Sequence, residues 1–224
     1  GAHIDGVLKV NHSFEHVSPE VVGNERTFIL SDQSGGATIV EKLKRFYPNI
    51  DKKDPLINTL LLKVKEKESL GYQFEVAEGS FELLAKKTNG DYKEPFEVRG
   101  YRVIEEKRNG GDPYSEATIK VVAKDKAVHT AAEGDGPVNA LDNAIRKALI
   151  KFYPELATVQ LIDYKVLVIE GDSGTSSKVR VLIQSGDGST SWGTVGVSEN
   201  IIEASWIALI DSLNYKLMKE GISD

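Results

Sequence analysis

Histidines are the side chains best suited to hold a metal or move a proton, and the chain has four. His12 and His16 lie four residues apart, which places two metal ligands on one face of a helix. The residues between them do not favour a strong helix, Pro19 follows closely, and no third ligand is near in the sequence. We therefore expect surface or packing histidines there. His129 falls mid-strand among small residues, where a cross-strand polar role is favoured over a ligand role.

Three glycine-rich segments are candidates for binding an anion through backbone amides. The Gly-Asp-Gly-Pro run at 134–137 opens a predicted helix, and a helix N-terminus attracts negative charge. It lacks the Gly-x-x-x-x-Gly-Lys pattern, and Asp135 would repel a phosphate. Segments 171–174 and 186–188 have the composition of hairpin turns. Without a Ser/His/Asp order or a Gly-x-Ser-x-Gly elbow, the residues themselves indicate no catalytic machinery.

The composition describes a globular chain and excludes several classes of protein. The 224 residues are 40% hydrophobic and 28% charged, with no cysteine and a net charge of −6. A disulfide scaffold and thiolate chemistry are excluded. The negative charge argues against a nucleic-acid partner. The sequence has no apolar run long enough for a membrane helix and opens with no signal-peptide pattern, so we expect no membrane partner and a cytoplasmic location.

The first part of the chain predicts mainly helices. A strand is expected at 21–30 and a helix at 37–46. Asp54 and Pro55 form a cap and first turn for a helix ending at Gly71, and a shorter helix covers 78–87. The polar run 87–93 is the best linker candidate. We expect a connecting subdomain at 1–47, a small helical subdomain at 48–93 and a third domain at 97–218.

That third domain contains an internal repeat. Strands at 98–107, 116–123 and 128–133 precede a helix at 137–152, and the same order recurs at 159–170, 178–184, 190–195 and 199–218. The two helices match at an offset of 61, which places Asn139 on Asn200 and Leu149 on Ile210. The sequence therefore predicts an α+β fold of duplicated βββα units whose helices cover antiparallel sheets.

Several motifs in order resemble one enzyme family across the chain. The run 134–142 (GDGPVNALD), then 161–164 (LIDY) and 192–198 (WGTVGVS), is similar to the C-terminal regulatory domain of 2-isopropylmalate synthases and citramalate synthases. Segments 2–6, 22–26 and 33–36 resemble the family's connecting subdomain. Segments 71–75, 77–78 and 80–84 resemble its small helical subdomain, in the form of the citramalate branch.

The resemblance implies an acyltransferase that condenses acetyl-CoA with a 2-oxo acid, either pyruvate or 2-oxoisovalerate. In that family a divalent metal is held in an N-terminal (β/α)₈ barrel. We expect no barrel in this chain, hence no catalytic residue, no metal ligand and no activity alone. His3 matches a connecting-segment histidine that approaches the partner's active site. Gln33 departs from the family's commoner His-Ser-Gly form, so no role is assigned to it.

The resemblance also implies a branched-chain amino acid, isoleucine or leucine, bound as a feedback inhibitor at a homodimer interface. Its motifs carry the following effector-binding residues over to this sequence: Val138, Asn139, Leu161, Tyr164, Val168, Val179, Glu199 and Ile201. The physics agrees, because the helix starts near Val138 and Glu199 would offer free amides to a carboxylate. The apolar strand residues would form the wall for the branched side chain.

Three interpretations remain open from the sequence. The first is the regulatory part of an isoleucine-sensitive citramalate synthase, and the second is that of a leucine-sensitive 2-isopropylmalate synthase. The third is a free-standing amino-acid-binding module. The parent gene upstream of Gly1 discriminates among them, because a barrel with a His-x-His motif would identify the enzyme.

Overall fold

The computed structural model describes residues 36–51, 53–107, 110–169 and 177–222. The predicted strand at 21–30 lies outside these ranges, as do His3, His12, His16 and Gln33. The chain divides into two compact units, residues 1–75 and residues 76–224.

In the described part of the first unit, two helices pack together, α1 (Gly36–Leu43) and α2 (Pro55–Ser69). The Asp54 side chain accepts a hydrogen bond from the Leu56 amide at 2.9 Å, and Pro55 occupies the first turn. The predicted cap is therefore confirmed. The buried side chains of the two helices are Ile39, Val40, Leu43, Leu56, Ile57, Leu60 and Val64.

The second unit begins with α3 (Glu78–Asn89), which ends at Gly90 in the left-handed conformation with φ of 80°. The run 87–93, expected as a linker, is instead the end of this helix and a packed turn. Tyr92 is buried and its hydroxyl donates to the Asn214 carbonyl oxygen at 3.1 Å. The division between compact units thus falls after Glu75 and differs from the boundary expected near residue 95, because α3 buries its apolar face in the second unit.

The remainder of the second unit contains two successive βββα units. The first comprises β1 (Phe96–Glu106), β2 (Tyr114–Ala123), β3 (Lys126–Gly134) and α4 (Pro137–Leu149). After a 3₁₀ helix at Pro154–Thr158, the second comprises β4 (Gln160–Ile169), β5 (Lys178–Gly186), β6 (Ser191–Ser198) and α5 (Ile201–Lys219). Each sheet is antiparallel, in the orders β1-β2-β3 and β4-β5-β6. The predicted α+β fold is confirmed.

The alternating residues of the central strands form the core. Ile119 of β2 and Ile183 of β5 are nearly inaccessible, and their neighbours in sequence point the other way. Both sheets and both helices contribute to one hydrophobic cluster. Consequently neither βββα unit has a separate core of its own.

The helices and the second and third strands of the two units correspond at an offset of 64 residues, so the predicted offset of 61 is wrong. The helix N-caps are Gly136 and Asn200, which are 64 residues apart. One hydrogen bond recurs at the same offset: the Thr130 hydroxyl donates to the Ala144 carbonyl at 3.0 Å, and Thr194 to Ala208 at 2.8 Å. The offsets 61 and 64 differ by three residues, which is close to one helical turn. The apolar residues of the two helices therefore align at either offset, and the sequence alone does not distinguish them.

Candidate functional site

The first strand of the second repeat exposes apolar side chains on both of its faces. β4 is an edge strand, and Val168 is 69% exposed. The exposed apolar side chains of β4 are Leu161, Ile162, Val166, Leu167 and Val168. An uncovered apolar edge strand is a surface that proteins normally cover or interrupt with charge. β4 is therefore the main candidate for a binding surface.

The duplicated strand β1 serves as an internal comparison. Tyr101 pairs with Ile119 and Tyr164 pairs with Ile183, so the two tyrosines occupy equivalent places. By the same pairing, Glu105 of β1 corresponds to Val168 of β4. β1 thus carries a charge where β4 is apolar, and the fold itself does not require the apolar residue.

Several predicted site residues meet at one end of the second sheet. Val168 pairs with Val179 on β5, which in turn pairs with Ser198 at the end of β6, directly before Glu199. From the same face of β4, the Tyr164 hydroxyl bonds to the Ser205 hydroxyl on α5 at 2.7 Å. The structure therefore gathers five predicted residues around the start of α5: Tyr164, Val168, Val179, Glu199 and Ile201.

Leu161 is not brought to this end of the sheet. It pairs with Ser185 near the beginning of β4, where a bulge follows between Leu161 and Asp163. Seven residues separate it from Val168, which in a strand is a distance of about 23 Å. Within one protomer the two side chains lie towards opposite ends of the strand.

Val138 and Asn139 lie in the first turn of α4. Gly136 is the N-cap, no side chain caps the helix, and Pro137 has no amide hydrogen. The amides of Val138 and Asn139 therefore point out of the helix start without a capping side chain. The Asn139 side-chain oxygen accepts from the Asp135 amide at 3.2 Å.

The start of α5 is different, and here the sequence-based expectation needs correction. The helix begins at Ile201 and not at Glu199. The Asn200 side chain caps it by accepting from the amides of Ile202 at 2.8 Å and Glu203 at 3.3 Å. Because these amides already have a partner, only α4 of the two helix starts keeps uncapped amides for a carboxylate.

An ion pair on α4 holds the beginning of β4 in place. The Arg146 guanidinium bonds to Asp142 at 2.7 Å and donates to the carbonyls of Leu156 at 3.1 Å and Val159 at 2.7 Å. Burial raises the pKa of the Asp142 carboxyl, and the Arg146 charge opposes that shift. The pair thereby connects the helix that carries Val138 to the strand that carries Leu161 and Tyr164.

The sequence analysis did not identify the contacts of the first two turns of α5. Tyr101 packs against Trp206 with ring centroids 4.9 Å apart, and its hydroxyl donates to the Glu203 carboxylate. Burial, together with Glu203, raises the pKa of Tyr101 above its usual value. The pairing of the strands reveals the correspondence, because Tyr101 faces Ile119 as Tyr164 faces Ile183.

The other candidates from the sequence contribute little to this site. His129 is exposed on β3 opposite Lys120. In the described ranges, His, Asp and Glu form no group of three that could hold a metal ion. None of the helices there is long and apolar enough to cross a membrane.

Comparison with known proteins identifies relatives over the whole chain. The LeuA allosteric (dimerisation) domain matches residues 75–217, which include α3, the first repeat and all but the last two residues of the second. An (R)-citramalate synthase of Geobacter sulfurreducens is 53% identical over 220 residues, covering 98% of this chain and 42% of that protein. Those of Aquifex aeolicus and Sulfolobus acidocaldarius are 52% and 40% identical, covering 98% and 99% of this chain and 42% and 41% of those proteins.

Two βββα units around one core, with the edge strand β4 left uncovered, define a duplicated α+β domain. The chain belongs to the LeuA allosteric (dimerisation) domain family. It is similar to the C-terminal region of (R)-citramalate synthases, and it spans about two fifths of the length of these curated relatives.

Proposed function

We propose that this chain is the regulatory region of a citramalate synthase and that it binds isoleucine as a feedback inhibitor. The proposal depends on the presence of two features in the same domain. One is the uncovered apolar strand β4, and the other is the start of α4, whose amides lack a capping side chain. A branched-chain amino acid requires an apolar surface for its side chain and hydrogen-bond donors for its charged carboxylate. Isoleucine is proposed rather than leucine because the relatives are citramalate synthases, the branch for which the sequence resemblance implies isoleucine.

The proposed site spans two copies of the chain. Val138 and Asn139 offer amides to the carboxylate, and Tyr164, Val168 and Val179 form the apolar wall. A two-fold homodimer that covers β4 would place the bound amino acid at the interface. The dimerisation family and the exposed residues of β4 support this arrangement.

The expected affinity follows from the groups that are buried. A branched side chain contributes about 1.5–3 kcal/mol, and each charge-assisted bond to the carboxylate about 1.5–3 kcal/mol. After the entropy lost on association, these amounts correspond to binding in the micromolar range. Valine lacks one methylene, which weakens its binding by about 1–3 kcal/mol.

Calorimetry with isoleucine, leucine and valine tests the proposal. Isoleucine should bind more tightly than the other two, and Tyr164→Ala should weaken it. Val122→Ala is a suitable control, because this side chain lies on β2 of the first sheet, away from the core-facing residues. No heat with any of the three amino acids would refute the amino-acid site.

The whole protein is proposed to condense acetyl-CoA with pyruvate, with a metal-dependent catalytic barrel preceding this region. This chain, incubated with both substrates and a divalent metal, should release no CoA above background. Clear CoA release would place catalytic residues within it and contradict the proposal.

A leucine-regulated 2-isopropylmalate synthase is the second candidate, because the matching family is described by its LeuA member. Leucine binding at least about tenfold tighter than isoleucine, a difference of about 1.4 kcal/mol, would favour it. A free-standing amino-acid-binding module is the third candidate. The parent gene upstream of Gly1 would distinguish it from the enzymes.

A further inference from the structure

The hydroxyl of Ser205 joins two predicted site residues from inside the protein. Ser205 is fully buried on α5, and its hydroxyl donates to the Ile201 carbonyl at 2.6 Å. Because its proton is used there, the Tyr164 hydroxyl is the donor in the 2.7 Å bond between Tyr164 and Ser205. Ser205 therefore holds the Tyr164 side chain against the N-terminal part of α5 and, being buried, cannot itself touch a ligand.

The duplication indicates that the fold does not need this hydroxyl. At the offset of 64, the position of Ser205 on α4 is occupied by Leu141, which is fully buried as well. Tyr101, the counterpart of Tyr164, finds a different partner, the Glu203 carboxylate. A helix in the same setting thus packs with an aliphatic side chain, and the serine is a feature of the second repeat alone.

We infer that Ser205 is a positioning residue for the amino-acid site, an inference that rests on the function proposed above. Its hydroxyl fixes the direction of the Tyr164 ring relative to the paired Val168 and Val179. Without that bond, the half-buried ring is free to adopt another rotamer, and the wall that contacts the branched side chain changes shape. Ser205 thereby acts on the choice between isoleucine and leucine through Tyr164.

The test is a double-variant cycle read out by amino-acid binding. Ser205→Ala, Tyr164→Phe and the double variant are titrated with isoleucine, leucine and valine by calorimetry. Each single variant should bind isoleucine about threefold to tenfold more weakly and prefer it less over leucine. The affinity of the double variant for isoleucine should lie within about twofold of that of the weaker single variant, because both substitutions remove the same hydrogen bond.

Tyr101→Phe is the matched control. It removes the equivalent tyrosine hydroxyl, which also bonds to the first two turns of α5. Its affinity for isoleucine should stay within about twofold of the unmodified chain. A loss in Tyr101→Phe equal to that in Tyr164→Phe would overturn the inference, because it would reflect a general loosening of α5.

The remaining outcomes separate the inference from the proposed function. Unchanged affinities in Ser205→Ala, accompanied by a lower free energy of unfolding, would make Ser205 purely structural and overturn the positioning role alone. Fully additive losses in the double variant would do the same. If the unmodified chain binds none of the three amino acids, the proposed function fails and the positioning role fails with it.

Discussion

Gly196 marks a close approach between strand β6 and helix α5. A Cβ atom at this position would lie 2.0 Å from the Ala204 carbonyl oxygen and 2.9 Å from the Ala208 amide. Both neighbours are backbone atoms in the helix, so they cannot move aside as a side chain would. The absence of a side chain at 196 is what allows the sheet and helix to pack.

Gly196→Ala should therefore lower the free energy of unfolding by about 1–3 kcal/mol, the range typical of overpacked cores. Gly100→Ala is the matched control, because this strand glycine of β1 has open space around it. The control should stay within about 0.5 kcal/mol of the original chain in urea unfolding. Equal effects of the two substitutions would contradict the packing argument.

Asp187 organises the turn between β5 and β6. Its carboxylate bonds to Lys216 of α5 at 2.8 Å and accepts the amides of Thr190 at 2.8 Å and Ser189 at 2.9 Å. The hydrogen bond from Lys216 makes the largest contribution and those from the two amides come next. Together they hold the pKa of Asp187 well below its usual value. The turn and the end of α5 are thus tied together through an ionised carboxylate.

The lowered pKa fixes the sign of a pH dependence. The unfolded chain binds the Asp187 proton below about pH 4, and the folded chain binds it only at a lower pH. The stability from this carboxylate is therefore present at neutral pH and lost as the pH falls below about 4. Asp187→Asn should lower the urea midpoint at pH 7, and the difference from the original chain should shrink at pH 3. Asp112→Asn, at an exposed site between β1 and β2, should change neither midpoint. If Asp187→Asn lowered the urea midpoint by the same amount at pH 7 and at pH 3, the stabilising role of the ionised carboxylate would be contradicted.

Among the elements, α3 contacts both β6 and α5 of the second repeat through one buried hydroxyl. The Ser80 hydroxyl donates to the Asp211 carboxylate of α5 at 2.7 Å and accepts from the Val195 amide of β6 at 3.0 Å. Nearby, Gly193 lets β6 pass close to the Val76 carbonyl, where a Cβ would lie 2.1 Å from the oxygen. These contacts explain why α3 belongs to the unit that carries the repeats.

Ser80→Ala should lower the free energy of unfolding by about 1–3 kcal/mol, because it leaves the buried Val195 amide without this partner. Hydrogen exchange should show the Val195 amide and α3 losing protection together. Ser191→Ala, an exposed substitution on the same strand β6, is the control and should have no comparable effect. Unchanged protection of Val195 in Ser80→Ala would rule out the contact as an anchor for α3.

At the scale of the whole molecule, we propose that β4 forms the contact between two copies of the chain. Its apolar side chains remain uncovered in the single chain, and an isologous contact between two copies would cover them. β1, its equivalent in the first repeat, carries Glu105 and Glu106 at the positions of Val168 and Ile169. The charges disfavour β1 as an interface and support β4 as the proposed one.

Val168→Glu places in β4 the residue type that β1 has at the equivalent position, so it should keep the fold and abolish the dimer. Light scattering at micromolar concentration should show a dimer for the original chain and a monomer for the variant. Ile104→Glu introduces the same charge on β1, at an exposed apolar position, and should remain dimeric. A monomeric original chain, or a dimeric Val168→Glu variant, would contradict an interface through β4.

Much of the fold could be predicted because the signals are local. The Asp54 cap with Pro55, and the alternation from Ala117 to Ala123, depend on neighbours in sequence, and the structure confirms both. The order of the repeats was also readable, since a period of two for strands and 3.6 for helices does not depend on the partner. The expected effector-binding residues came from the family resemblance, and the structure places five of the eight around the start of α5.

By itself the sequence determined the element types, the duplication and the residues of the expected site. Only the tertiary structure decided the offset of 64, the capping of α5 by Asn200 and the bond from Tyr164 to Ser205. Each of these depends on which surface of a helix meets which strand, and that choice follows from filling one shared core rather than from any local pattern. For the same reason β4 and β1 look alike as strands, and only the packed molecule leaves the apolar one uncovered.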